Sequence, residues 1–340
     1  MMTSLERMLA ALRFEKPDRV PVFLNNTLPV TCLTKSSVRD INLNEDNFVE
    51  ALLAGYHYYG YDGVRVGIDV TIEAEAMGCK LNFPEDDFAS VREFVLKDPD
   101  NLDKLKVPDP QSDGRMPMIV NATSRIAKEV GDKAFVGSLI MGPGVLASQL
   151  MGAHDFLIMC LTEPEYIEKL LDFCSEVTIR FGTAVTKAGA HGVVIGEAMC
   201  SPQMLGPVLY KELVLGRHKR IIEELKRNGA ENQIFHICGN VESILEDVAN
   251  TGATGLDVDT PLDIVKGRSM LGKRLAFTGN VSPALLLNGS VEEVLEACAG
   301  TLAIKDELGL VLNAGCCMAR LTPPENIKAM VEAASTIGCY

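Results

Sequence analysis

The sequence predicts an α/β fold, a closed (β/α)8 TIM barrel carrying an additional N-terminal helical segment. Three observations point there. Eight short runs rich in β-branched and apolar residues recur, each followed by a longer segment with apolar residues at helical spacing. No Pro/Ser-rich linker, charge block or low-complexity tract divides the chain. Polar residues suited to chemistry fall repeatedly at the ends of the apolar runs, where a barrel gathers its active site. A length of 340 residues would also admit two domains. Continuity argues instead for one domain spanning 1–340, with residues 1–19 as a helical extension.

In order, the predicted strands are Val20–Asn25, Gly63–Gly67, Ala134–Leu139, Gly192–Ile195, Gln233–Ile237, Gly255–Val258, Leu275–Thr278 and Leu310–Asn313. Helical periodicity is clearest over Pro164–Lys187, Pro207–Asn228, Val241–Asn250, Val291–Leu308 and Pro324–Ile337. A doubly wound sheet would show the same alternation, but its nucleotide fingerprint is missing. Gly142-Pro143-Gly144 is only superficially a G-x-G: Pro143 has no N–H to offer a phosphate, and the tripeptide reads better as a helix start.

Composition narrows the function. Hydrophobic residues make up 47% and charged residues 23%, which fits a globular domain and excludes disordered and fibrous classes. Lys+Arg 32 against Asp+Glu 46 gives a net charge of -14, a field that repels phosphate backbones and anionic lipid. No nucleic-acid or membrane partner is expected. The N-terminus carries Glu6, Arg7, Arg13, Glu15 and Lys16 among its apolar residues, unlike a secretory signal, so the expected compartment is cytoplasmic. There the ten cysteines should be free thiols or metal ligands.

The strand-end residues define the candidate site. They are Asn25 and Asn26 after the first run, Asp69 after the second, Ser138 in the third and Glu197 after the fourth. His236 and Cys238 end the fifth, Asp257 and Asp259 the sixth, and Cys316 and Cys317 follow the eighth. Alternate residues of an extended segment share a side, so His236 and Cys238 can converge on one ion. Cys316 would share the same mouth, and a His/Cys/Cys set with one open position suits a catalytic zinc. A free Cys is also commonly a small buried hydrophobe, so both readings stand on the pattern alone. Cys32, Cys79, Cys160, Cys174, Cys200, Cys298 and Cys339 are expected to be such buried thiols. His57, His154, His191 and His218 lack ligand spacing and should be surface or satisfied core residues.

FHICGN (235–240), FTGNVSP (277–283) and LNAGCCMARLTPPENIKAMV (312–331) resemble the uroporphyrinogen decarboxylase superfamily, specifically its zinc-dependent corrinoid methyltransferase branch. LERMLAALRFEKPDRVPV (5–22) and IDVTIEAEAMGCKLNFPED (68–86) extend the resemblance over nearly the whole chain. The decarboxylases place an arginine-rich motif after the first strand, where this chain has VFLNNTLPVTCL (22–33), and a G-H-G where it has Gly315-Cys316-Cys317. The resemblance therefore implies zinc held by His236, Cys238 and Cys316. It also implies methyl transfer between a corrinoid on a partner protein and a small thiol or methylated substrate such as a methyl ether. Glu197 and Asp69 are the expected catalytic carboxylates, with Glu197 alternatively a displaceable zinc ligand or a carboxylate bonded to nearby backbone N–H groups. Asn25, Ser138 and Asp257 are the expected cofactor contacts, and Asp257 and Asp259 are placed to orient His236. A decarboxylase of a tetrapyrrole and a non-catalytic corrinoid- or metal-binding barrel are the alternatives.

Overall fold

The computed structural model describes residues 2–340. In chain order the strands are β1 (Gly63–Val66), β2 (Lys80–Asn82), β3 (Ser90–Glu93), β4 (Phe135–Met141), β5 (Gly192–Gly196), β6 (Asn232–Ile237), β7 (Gly255–Val258), β8 (Ala276–Val281) and β9 (Leu310–Ala314). Seven of them pair in parallel in the order β1-β4-β5-β6-β7-β8-β9, with helices between successive strands. The predicted first strand, residues 20–25, fills the gap between the two edges. Leu312 N donates to Pro21 O at 2.8 Å and Phe23 N to Leu312 O at 3.1 Å on the β9 side. On the other side Asp62 N donates to Val22 O at 2.8 Å. Pro21 lacks an N–H and keeps the ladder short, yet these bonds make the segment the eighth stave of a TIM-type barrel.

The N-terminal extension closes the bottom. Thr3 and Glu6 form a reciprocal capping box that starts the helix Ser4–Leu12. Its Met8, Ala11 and Leu12 pack on Phe23, Phe135, Val194, Ile234, Ala276 and Val311, an apolar plug under the barrel. Asp62 ties the extension to the barrel, bonding Arg7 at 2.6 Å, Arg19 at 2.8 Å and Val22 N at 2.8 Å. With this end sealed, ligands reach the interior from the opposite mouth.

Three local features depart from the sequence reading. The antiparallel arm β2–β3, inserted after β1, lies over the mouth; its three- and four-residue strands are too short to carry a period. The helix expected over 207–228 is interrupted by a π-helical turn, Tyr210–Val214, before Leu215–Arg227 resumes. The helix expected to reach 308 stops at Leu302, and Leu308 and Gly309, at φ 62° and 68°, turn the chain into β9. No single helix among the described residues is long and apolar enough to cross a membrane.

Candidate metal centre

His236 is the penultimate residue of β6, and Cys238 follows the strand on the same side. Beyond it Gly239 adopts φ 80°, a left-handed turn that favours glycine, and its N–H donates to Asp259 Oδ2 at 2.7 Å. Cys316 leaves β9 through Gly315, whose N–H donates to Val281 O at 2.8 Å. These supports bring three donor atoms together. His236 Nε2 lies 3.5 Å from Cys238 Sγ and 3.7 Å from Cys316 Sγ, and the two sulfurs are 3.8 Å apart. Zinc bonds of about 2.3 Å to sulfur and about 2.0–2.1 Å to nitrogen at tetrahedral angles require S···S near ~3.8 Å and S···N near ~3.5 Å. The triangle of side chains therefore fits a tetrahedral ion with its fourth position open. Hydrogen bonding from Cys238, then Cys317, holds the Cys316 thiol well below its ordinary range, while the partner bond and burial push Cys238 up.

Beneath the triad is an ion pair that the sequence reading missed. Arg65, pointing inward from β1, donates to Asp257 Oδ2 at 2.6 Å, and both side chains are almost fully buried. The same Oδ2 is 3.7 Å from His236 Nδ1, which has no other partner. The guanidinium also lies 4.8 Å from the centroid of the Phe23 ring. Asp257 thus faces the imidazole as expected, whereas Asp259 supports the loop after Cys238 instead. Arg65 could have been found from GVRVG: an Arg between two valines shares the inward parity of its strand.

A cavity of about 530 Å³ opens above the triad. Asn25, Arg65, Glu197, His236, Cys238, Cys316 and Cys317 line it, together with Phe88 and Phe94 from the β2–β3 arm and Leu139 and Met141 from β4. Asn25 donates to Cys317 Sγ at 3.1 Å. Glu197 is fully buried with both oxygens engaged. Oε1 accepts from Gly144 N at 3.1 Å and lies 2.9 Å from His218 Nε2, while Oε2 accepts from Val145 N at 3.1 Å and from Cys200 Sγ at 3.3 Å. Gly142-Pro143-Gly144 indeed starts a helix, Pro143–Met151, and a Cβ on either glycine would collide with Glu197 or Cys200. The triplet cradles an internal carboxylate at a helix N-terminus. His218 is a satisfied core residue, bonded also to Tyr210 at 3.2 Å.

Two expected site residues face elsewhere. Ser138 points outward from β4 and shares a 2.9 Å hydrogen bond with Thr123, because Leu139 and Met141 hold the inward parity. Asp69 is buried beside the mouth, accepting from Thr71 N at 2.6 Å and from Arg115 Nη1 at 2.9 Å, while its neighbours Val70 and Thr71 line the cavity. Of the cysteines expected to be buried, Cys32 and Cys339 are exposed.

A family model for uroporphyrinogen decarboxylase (URO-D) matches residues 3–337. A methylcobamide:CoM methyltransferase of Methanosarcina barkeri is 30% identical over 335 residues, covering 96% of this chain and 96% of its own. Another, from Methanosarcina acetivorans, is 30% identical over 338 residues, covering 98% and 97%. The solved structure of a methyltransferase from Methanosarcina mazei superposes with a TM-score of 0.92 at 28% identity, covering 99% of each chain. With a family match along nearly its whole length, the chain belongs to the uroporphyrinogen decarboxylase family.

Proposed function

We propose that this chain is a zinc-dependent methyltransferase, moving a methyl group between a corrinoid carried by a partner protein and a small thiol or methylated substrate such as a methyl ether. The observation that carries the reading is the His236/Cys238/Cys316 triangle, with edges of 3.5, 3.7 and 3.8 Å at the floor of an accessible cavity. Zinc held by these residues would supply a Lewis acid for the substrate's sulfur or oxygen. The corrinoid would supply the methyl-cobalt chemistry. The sequence likeness to named methylcobamide:CoM methyltransferases supports the same reading.

The chain's own residues divide the remaining work. Asp257, with Oδ2 3.7 Å from His236 Nδ1, sets a negative charge behind the imidazole whose Nε2 faces the two sulfurs, and Arg65 offsets that charge. Asn25 fixes Cys317 outside the ligand triangle. Glu197, its carboxylate buried and bonded to Gly144 N, Val145 N and, at 2.9 Å, His218, fixes the start of the helix Pro143–Met151 behind the cavity wall. Asp69 acts at one remove, fixing Thr71 at the cavity wall through its bonds to Thr71 and Arg115.

A decarboxylase handling a polycarboxylate would need several cations at the mouth. Among the described residues lining the cavity, Arg65 is the one guanidinium or ammonium group, and Asp257 already pairs it. The test is anaerobic methyl transfer from methylcobalamin to a panel of thiols by the zinc-loaded protein, followed by the appearance of cob(I)alamin. Cys238→Ala should abolish transfer while far-ultraviolet circular dichroism stays unchanged. An undiminished rate in that variant refutes the proposal.

A further inference from the structure

Five buried polar atoms in the barrel interior have no hydrogen-bond partner within the chain: Arg65 Nε and Nη1, His236 Nδ1, Asp257 Oδ1 and Thr278 Oγ1. The pairing register sets three of their owners side by side, His236 next to Asp257 and Asp257 next to Thr278, and the 2.6 Å bond from Arg65 to Asp257 brings in the fourth. Ile234 and Ala276 face the apolar plug, so His236 and Thr278, each two residues further along the same strand, face the interior as well. Thr278 is fully buried, and Arg65 and Asp257 have exposures of only 2% and 1%. These side chains form a polar layer between the plug and the His236/Cys238/Cys316 triangle.

Buried polar groups in proteins are nearly always hydrogen-bonded, to the protein or to ordered water. The donor and acceptor types in this layer define what satisfies them. Arg65 Nε and Nη1 only donate, His236 Nδ1 donates when Nε2 faces a metal, Asp257 Oδ1 only accepts, and the Thr278 hydroxyl does both. Arg65 and Asp257 balance in charge, so the layer needs no ion; it needs a small neutral molecule that accepts from the nitrogens and donates to the oxygens. Moreover, His236 Nδ1 lies 3.7 Å from Asp257 Oδ2, beyond hydrogen-bond reach, a separation at which polar contacts run through water. We infer that ordered water is bound in this layer, accepting from His236 Nδ1 and Arg65 and donating to Asp257 Oδ1 and Thr278 Oγ1, and that Thr278 is through it a positioning residue for the imidazole. The positioning role rests on the zinc reading above, whereas the water site does not.

The test measures zinc affinity by competition with a chromophoric chelator in full-length wild type, Thr278→Val and Thr278→Ser, and the urea midpoints of the same proteins stripped of metal. Valine keeps the shape of threonine without its hydroxyl, and serine keeps the hydroxyl. Thr278→Val should bind zinc about ten-fold more weakly and unfold at a lower urea concentration, while Thr278→Ser should stay within about two-fold of the wild-type affinity. A hydroxyl with no water to bond would be an unsatisfied buried group, and its removal would raise the midpoint. A raised midpoint in Thr278→Val, or wild-type zinc affinity in that variant, therefore overturns the inference. Serine as weak as valine assigns the loss to the methyl group and overturns it too. Thr278→Ala against Thr278→Ser repeats the hydroxyl comparison should the valine variant not fold. A wild type without measurable zinc affinity overturns the methyl-transfer reading and the positioning role with it, and the midpoints then decide the water site on their own.

Discussion

Replacing Arg65 by methionine tests the ion pair beneath the His236/Cys238/Cys316 triangle. Arg65 Nη2 and Asp257 Oδ2 are 2.6 Å apart, with side-chain exposures of 1% and 2%. At an effective dielectric of about 20, charges so placed attract by ~6 kcal/mol. Desolvating each ion costs several kcal/mol, so the intact pair is worth about nothing relative to two well-packed apolar residues. Removing one partner is different, because the other charge stays buried: Arg65→Met and Asp257→Leu should each destabilise by about 3–5 kcal/mol. Additivity would then put the double variant about 6–10 kcal/mol below the wild type. The pair predicts instead a double variant within about 2 kcal/mol of the wild type. The assay is urea unfolding of all four proteins at one buffered zinc concentration, since bound metal adds its own stabilisation. Single-variant losses that sum to the double-variant loss within about 0.5 kcal/mol would refute the coupling.

The same approach extends to two other buried groups. Glu197→Gln should lose about 1.5–3 kcal/mol in urea unfolding and slow methyl transfer, because the amide cannot satisfy two backbone N–H groups and His218 together. Its zinc content should be unchanged, and loss of zinc would make Glu197 a metal ligand. Burial raises the Glu73 carboxyl from 4.5 to about 7, against the opposing bond from Met141 N. A carboxyl pKa that is higher in the folded state contributes stability below the unfolded value and loses it as pH rises toward the folded one. The wild type should therefore lose stability between about pH 4.5 and 7 relative to Glu73→Gln. Parallel stability–pH profiles for the two proteins would contradict that assignment.

The barrel was legible because each stave is a short apolar run beside a helical period, and even the proline-broken run at 20–25 keeps its place between β9 and β1. The convergence of His236, Cys238 and Cys316 was legible for a related reason: H-x-C in an extended segment holds both side chains on one side, and the Gly315-Cys316 turn is local. Ser138 failed by parity, since Leu139 and Met141 occupy the inward positions of β4. Asp69 failed because β1 ends at Val66, so strand alternation no longer says where the loop residue points. Its partner Arg115 lies 46 residues away, a separation that no local period reports. The Glu197–His218 contact depends on the Gly142–Gly144 cradle and on the packing of Leu215–Arg227, both of which are properties of the assembled barrel.

The central claim is that His236, Cys238 and Cys316 form an open zinc site while Cys317, held by Asn25, stays outside it. Zinc per chain, measured in wild type, Cys316→Ala and Cys317→Ala purified without added metal, tests this most directly. About one zinc in the wild type and in Cys317→Ala, with loss only in Cys316→Ala, is the predicted result. A wild-type protein that cannot be loaded with zinc, or a site emptied by Cys317→Ala and spared by Cys316→Ala, would contradict it.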